Sequence, residues 1–280
     1  MEEEKKQLGY GLRDLPDDPR DYLGGIFGVF EPAPDTDFTV STPLGIKDQK
    51  NSSMCVAFST TAVSEDEEAV QLSPEWFYAK IKELEGDPTG WGANLRDAMK
   101  IATKKGFLKQ TDAPYSLDSQ SQEFLADWNN WPKELDEIAQ VHRKQSYVKI
   151  TKSGYTDLFD AIRAFLWQFR AKNQSVVTGV EWCPEWTNAP AGIIRTKGTP
   201  SFGHAFKIFG QRMIHGEPFL VAQLSNGTNI GDNGIYYMSR EVINLSDPYG
   251  AFSLVDLPRA HLEFLSAYNF SIKSLWFAKL

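Results

Sequence analysis

The sequence predicts an α+β fold in which a helical lobe precedes a sheet lobe. Before residue 172, several segments combine capping residues with apolar stripes at helical spacing. After residue 174, short apolar segments alternate with clusters of Gly and Asn, a pattern typical of strands and turns. Hydrophobic residues make up 41% of the 280 residues, and aromatic residues make up 13%. These apolar residues are sufficient to form the core of one large domain or of two lobes that share a cleft.

Residues 1–35 are predicted to form an N-terminal extension, because residues 15–21 and 31–35 are rich in Pro and Asp. The extension is either an ordered arm that lies on the domain or a short inhibitory segment. The remaining residues, 36–280, are predicted to form one domain. Its helical lobe covers about residues 45–172, and its sheet lobe covers about residues 173–280 together with the start of the domain.

The first helix is predicted to begin near Cys55, because Ser52 and Ser53 are suitable N-cap residues. It continues to Ala69 without Gly or Pro, and positions 55, 58, 59, 62 and 63 share one face that we expect to be buried. The acidic run at 65–68 is predicted to be the solvated end of this helix.

Three further helices follow. Ser73 and Pro74 form a cap and a first helical position, and that helix is predicted to stop at Gly86. Residues 94–105 and 156–171 carry apolar stripes at helical spacing. Strands are then predicted at residues 175–180, 204–209, 219–224 and 234–238, with His215 in a hairpin turn.

The composition limits the possible partners. The formal net charge is −8, and an acidic chain without a Lys/Arg-rich run is a poor match for nucleic acid. The two cysteines, Cys55 and Cys183, do not make a disulfide framework. No spacing of Cys and His indicates zinc, and no Gly-rich phosphate loop is present. We therefore expect no cofactor and no metal, and the oligomeric state stays open.

The location is predicted from the same features. The N-terminus is charged and lacks the apolar run of a secretory signal, and no stretch approaches the ~18 apolar residues of a membrane span. We expect a protein without membrane contact that is cytoplasmic or is carried inside a particle.

Cys55 is the first candidate for chemistry. It is predicted to lie in the first turn of a helix, where backbone N–H groups and the helix dipole favour an anion. A thiol in this place is expected to have a lowered pKa. The alternative is a buried structural thiol, and position alone leaves both interpretations open.

A thiolate nucleophile needs a base, and four histidines are available. His204 differs from His142, His215 and His261 because it begins an apolar strand directly after a glycine. Taken alone, it would more often be a core histidine. Gln49, six residues before Cys55, could donate its amide N–H to an oxyanion.

These residues, taken together, resemble the papain family of cysteine peptidases. Gln49 is followed six residues later by Cys55-Val56-Ala57-Phe58-Ser59, and the pair His204-Ala205 begins 149 positions after the cysteine. The segments 113–115, 225–228 and 231–236 are similar to family motifs in the same order. The resemblance covers about residues 36–240 and fits a divergent prokaryotic or viral member.

The resemblance implies an N-terminal helical lobe, a C-terminal antiparallel sheet or barrel lobe, and an active site in the cleft between them. It implies that Cys55 is the nucleophile, His204 the base and Gln49 an oxyanion donor. The segment Gly90-Trp91-Gly92 falls at the family's substrate-cleft strand, and Gly203 is also assigned to substrate binding. The expected activity is that of a cysteine endopeptidase acting on a peptide or protein substrate.

Several positions depart from the family pattern. Val56 replaces an aromatic residue, Leu224 falls where the family has its third catalytic residue, an Asn, and Asn226 falls where the family has Trp. Asn226 is predicted to orient the imidazole instead, with Gln223 as a weaker candidate. These departures leave a catalytically impaired binding protein as an alternative. A cell-wall amidase is a further alternative, although such enzymes usually have Asp where this chain has Met54.

Overall fold

The computed structural model describes residues 11–14, 18, 30–41 and 44–256. Helices and strands alternate irregularly along this part of the chain, with short 3₁₀ turns between them. The elements are β1 (Phe38–Thr39), α1 (Cys55–Glu68), α2 (Pro74–Glu85), α3 (Leu95–Lys104), α4 (Gln122–Ala126), α5 (Leu135–Ala139), β2 (Ser146–Ile150), α6 (Leu158–Phe169), β3 (Val176–Trp182), β4 (Ile193–Ile194), β5 (Phe202–Ile214), β6 (Glu217–Gln223), β7 (Ile235–Met238), α7 (Arg240–Asn244) and β8 (Ala251–Val255).

Within the described residues, eight strands form one sheet in the order β2-β8-β3-β5-β6-β7-β4, and β1 pairs with β5. The pairs are antiparallel except β4–β7, which is parallel. The hairpin between β5 and β6 turns at His215 and Gly216, which both have positive φ, as the sequence predicted. The predicted α+β class with an antiparallel sheet lobe is therefore confirmed.

Two apolar cores define two lobes. One core is formed mainly by α1, α2, α3 and the turns after them, and the other by α6 and the faces of the sheet. The first core also contains Val177, Ala205 and Phe252 from the sheet. Helix α1 therefore packs against both lobes, and its N-terminus lies at their junction.

Helix α1 differs from its prediction in two respects. Its N-cap residue is Met54, and no side chain caps it; Ser53 instead accepts a hydrogen bond from the backbone N–H of Gly92 at 3.1 Å. Its acidic end is not solvated, because Lys207 on β5 forms an ion pair with Asp66 at 2.8 Å and both side chains are buried. The cations that bind this end come from distant segments, so the local pattern could not reveal them.

The other long helices follow their local signals. Ser73 caps α2 through the N–H of Trp76, Asn94 caps α3 through the N–H of Asp97, and Asp157 caps α6 through the N–H of Asp160. The edge strand β2 and its neighbour β8 were not predicted. They pair with each other across about 100 residues of chain, from Ser146↔Val255 to Ile150↔Ala251.

Candidate active site

Cys55 is the first residue of α1 and its side chain is fully buried. The thiol takes part in a backbone hydrogen bond with Ala205, the second residue of the predicted His204-Ala205 motif. Burial raises the pKa of the Cys55 thiol to about 12, while backbone hydrogen bonds from Ala205 and Val56 act to lower it. The expectation of a lowered pKa is therefore wrong for this buried state, because desolvation outweighs the helix N-terminus.

His204 lies in β5 and is also buried. It pairs with Val180 of β3, and it directly precedes Ala205, which contacts the thiol. The ring of Trp182 lies 5.7 Å from the imidazole ring, centroid to centroid, at an interplanar angle of 72°. The fold thus brings Cys55 and His204 to the same junction between α1 and β5.

Gln49 is held in the segment just before α1. Its backbone N–H donates to the carbonyl of Ser225 at 2.7 Å, and its side-chain Nε2 donates to the carbonyl of Ser52 at 2.8 Å. Its Oε1 accepts from the hydroxyl of Ser225. These two side-chain hydrogen bonds fix the plane of the Gln49 amide. The second N–H of Nε2 therefore also points in a defined direction.

The residues proposed for the third position lie just after β6. Asn226 is buried, and its backbone forms an isolated antiparallel bridge with Asp48, the neighbour of Gln49. Leu224, at the family's Asn position, belongs to the apolar core of the sheet lobe. Gln223 ends β6 opposite Ile235. Leu224 offers no hydrogen bond to an imidazole, which leaves the polar side chains of Asn226 and Gln223.

Residues 11–13 lie across the cleft as an extended segment, which we call the arm. The backbone N–H groups of Gly11 and Leu12 donate to the carbonyl of Gly203 at 3.3 and 3.1 Å. On the opposite wall, the N–H of Ala93 donates to the carbonyl of Gly11 at 2.7 Å, and the N–H of Arg13 donates to the carbonyl of Ala93 at 2.9 Å. The arm therefore joins both lobes through backbone hydrogen bonds.

The walls of the cleft are shaped for this close approach. A Cβ at Gly203 would lie 2.3 Å from the carbonyl oxygen of Leu12, and a Cβ at Gly92 would lie 1.9 Å from that of Gly11. The Leu12 side chain is only 7% exposed, and its Cδ2 would lie 2.3 Å from a Cβ at Gly179. Any larger residue at these wall positions would displace the arm.

The predicted cleft residues separate into two groups. Gly92 and Gly203 contact the arm from opposite walls. On the Gly92 side, the hydrogen bonds to the arm come from Ala93, a residue that the sequence did not single out. Gly90 lies in a turn where its N–H donates to Asp87 at 2.9 Å, and Trp91 is 65% exposed. Gly90 and Trp91 therefore belong to the rim of the cleft.

Other kinds of site find no support in the described ranges of the chain. No group of three or more His, Cys, Asp or Glu residues there could hold a metal ion. None of the helices described has the length and apolar character needed to cross a membrane.

Two lobes that meet at α1 and β5, with a thiol at the start of the helix and an imidazole in the strand, have the architecture of a two-lobed cysteine peptidase. The model of one family, described as papain family cysteine protease, matches residues 37–247. The chain therefore belongs to the papain family of cysteine proteases and is a peptidase by class.

Solved structures agree with this fold. Xylellain, a cysteine protease from Xylella fastidiosa, is 19% identical, with a TM-score of 0.70 over 92% of this chain and 100% of that chain. Procathepsin L 3 of Tenebrio molitor larval midgut is 14% identical, with a TM-score of 0.61 over 90% of this chain and 77% of that chain. A procathepsin B from Trypanosoma congolense is 15% identical, with a TM-score of 0.62 over 91% and 88%. None of the curated proteins compared matches the sequence.

Proposed function

We propose that this protein is a cysteine endopeptidase in which Cys55 and His204 form a thiolate–imidazolium pair. The observation that carries the proposal is the extended peptide of the arm, which runs between Gly203 and Ala93 beside the buried thiol. One wall offers the carbonyl of Gly203, and the other offers the backbone N–H and carbonyl of Ala93, without the use of any side chain. A substrate peptide could make the same hydrogen bonds, whatever its sequence.

The reaction proposed is acyl transfer. His204 takes the proton of Cys55, and the thiolate attacks the scissile carbonyl carbon. The N–H groups of the Gln49 side chain and of the Cys55 backbone stabilise the oxyanion that forms. The imidazolium then gives its proton to the leaving amine, which departs as the C–N bond breaks. Water, activated by the neutral imidazole, attacks the thioester, releases the carboxylic acid and restores the thiol.

Asn226 is proposed to help orient the imidazole of His204. Its polar side chain is buried in the loop that also holds Gln49, whereas Leu224 carries only apolar atoms. Loss of an orienting amide lowers the rate without abolishing it, because the Cys–His pair and the oxyanion donors remain. This accounts for how a family member can tolerate leucine at position 224.

The arm is proposed to hold the enzyme in a latent state. It uses the carbonyl of Gly203 and both backbone groups of Ala93, which a bound substrate would also need. In this state the thiol is fully buried and its pKa is raised to about 12, so little thiolate is present at neutral pH. Residues 1–35 are thus proposed to be an extension that must move or be cleaved before a substrate binds.

The location proposed is a reducing one, the cytoplasm or the interior of a particle. Cys55 and Cys183 are both free thiols. A nucleophilic cysteine retains its function only while it stays reduced.

The test is hydrolysis of a fluorescent casein by the full-length chain and by chain shortened to begin at residue 30. We expect the shortened chain to be the more active, Cys55→Ala to abolish hydrolysis in both, and Cys183→Ala to leave it unchanged. Iodoacetamide at pH 6 should modify Cys55 of the shortened chain much faster than Cys183.

The alternative is a binding protein that has lost catalysis, which is favoured by the apolar residue at position 224 and the raised pKa of Cys55. It predicts equal, slow modification of both cysteines and no hydrolysis in either chain. Turnover by a Cys55→Ala variant would contradict the assignment of the nucleophile itself.

A further inference from the structure

We propose that Trp182 is a positioning residue for the imidazole of His204 and supplies the aromatic group that this chain lacks at position 226. The inference rests on the proposed role of His204 in catalysis. It is carried by the geometry of the two rings, by the fixed setting of the indole, and by the residues found at positions 224 and 226.

The two side chains lie on the same face of the sheet. Strand β3 pairs with β5 so that Val180 is opposite His204 and Trp182 is opposite Phe202. Side chains two residues apart on a strand share a face, and diagonal neighbours are within reach of an aromatic ring. The centroid distance of 5.7 Å and the angle of 72° place the rings in an edge-to-face contact.

The indole of Trp182 is itself held in one orientation. Its Nε1 donates to the hydroxyl of Thr187 at 3.2 Å. The rings of Trp186 and Tyr236 pack on it edge to face, at centroid distances of 5.5 and 5.4 Å. The hydroxyl of Tyr236 donates to the carbonyl of Thr187 at 2.7 Å, which closes the group. His204 therefore meets a rigid wall rather than an adaptable side chain.

An imidazole needs such a wall because rotation about its χ2 bond has broad, shallow minima. The positions that the family resemblance places around the imidazole hold Leu224, which offers no hydrogen bond, and Asn226, which has no ring. Trp182 approaches from β3 instead, on the side of the sheet-lobe core, while Cys55 lies in the core of the helical lobe. The imidazole thus packs against the indole, while the next residue, Ala205, contacts the thiol.

Two readouts test this, and the second does not depend on activity. The first is the pH profile of kcat and of Cys55 alkylation in the full-length chain. The second is the ¹³C–¹H NMR signal of His204 in the full-length Cys55→Ala chain, assigned with His204→Gln and followed against pH. The variants are Trp182→Leu, Trp182→Phe and the matched control Trp131→Leu, which removes a buried indole that packs on Tyr115 in the core of the helical lobe.

We expect Trp182→Leu to lower kcat about two- to tenfold with little change in KM, because one aromatic contact is lost. The same loss should move the titration midpoint of His204 by about 0.3–1 pH unit and broaden its signal. Trp182→Phe should restore most of both properties. Trp131→Leu should lower thermal stability while leaving the His204 midpoint and the pH profile in place.

Equal effects of Trp182→Leu and Trp131→Leu on the His204 signal would overturn the proposal, because Trp182 would then be one core residue among others. An unchanged His204 titration in Trp182→Leu would also overturn it. If the wild-type chain neither cleaves nor labels Cys55, the proposed function fails, and the NMR titration still decides whether Trp182 orients the imidazole.

Discussion

Truncation of Leu12 to alanine should open the cleft without touching the proposed catalytic residues. Leu12 is the one apolar side chain of the arm, residues 11–13, and it is only 7% exposed where it packs over Gly179. Leu12→Ala removes three carbon atoms from this site. At about 0.8 kcal/mol for each buried carbon, the covered state loses roughly 2.4 kcal/mol relative to the open state.

The assay is the rate at which iodoacetamide modifies Cys55 in the full-length chain at neutral pH, followed by mass spectrometry. If the arm opens and closes faster than the thiol reacts, the observed rate is proportional to the equilibrium constant for opening. Since about 1.4 kcal/mol corresponds to a factor of ten, Leu12→Ala should react roughly 50 times faster than the wild type.

The matched control is Leu44→Ala, the same truncation at a leucine that is 44% exposed. It should react at the wild-type rate. A Leu12→Ala rate within about threefold of the wild type would refute the reasoning, since the thiol would then be protected by something other than the arm. Faster modification of Cys183 in parallel would indicate global unfolding rather than release of the arm.

Three other outcomes follow from the site and its surroundings. Gln49→Ala should lower kcat on a fluorogenic peptide by about 10²–10³, the usual effect of one lost oxyanion donor, and an unchanged kcat would remove Gln49 from the mechanism. Lys207→Met should cost about 3–5 kcal/mol in urea unfolding because it leaves the Asp66 carboxylate buried alone, whereas combining it with Asp66→Leu should recover most of the loss. Burial raises the pKa of Cys55 from 9.0 to about 12, so the unfolded chain releases this proton first as the pH rises, and folding stability falls by up to about 1.4 kcal/mol per pH unit above pH 9. Cys55→Ala should lack this part of the loss, and parallel stability curves for the two chains between pH 9 and 11 would contradict the burial of the thiol.

The sequence predicted those features that a few neighbouring residues encode. Ser73 and Asn94 cap their helices as their local patterns indicated, and the glycine after His215 marks a real hairpin. The order of the Gln49, Cys55 and His204 motifs also indicated the family, because each motif can be identified from adjacent residues.

The features that were missed depend on partners far apart in the chain. Lys207 neutralises the end of a helix 141 residues earlier, and β2 pairs with β8. The role of Ala93 in the cleft and the contact of Trp182 with His204 likewise need the assembled lobes. The sequence placed Cys55 at a helix N-terminus and on a face expected to be buried, but it could not show that desolvation outweighs the helix N-terminus in setting the pKa of the thiol.

The shared use of the Gly203 carbonyl and the Ala93 backbone has a kinetic consequence. On the proposed mechanism, arm and substrate compete for these groups, so we expect the arm to act as a tethered competitive inhibitor. The apparent KM is then the KM of the open enzyme divided by the fraction of molecules in which the arm is open. The kcat at saturating substrate stays that of the open enzyme. Abundant or tightly bound substrates would therefore be cleaved by the intact chain, and scarce ones would be spared until the arm is removed.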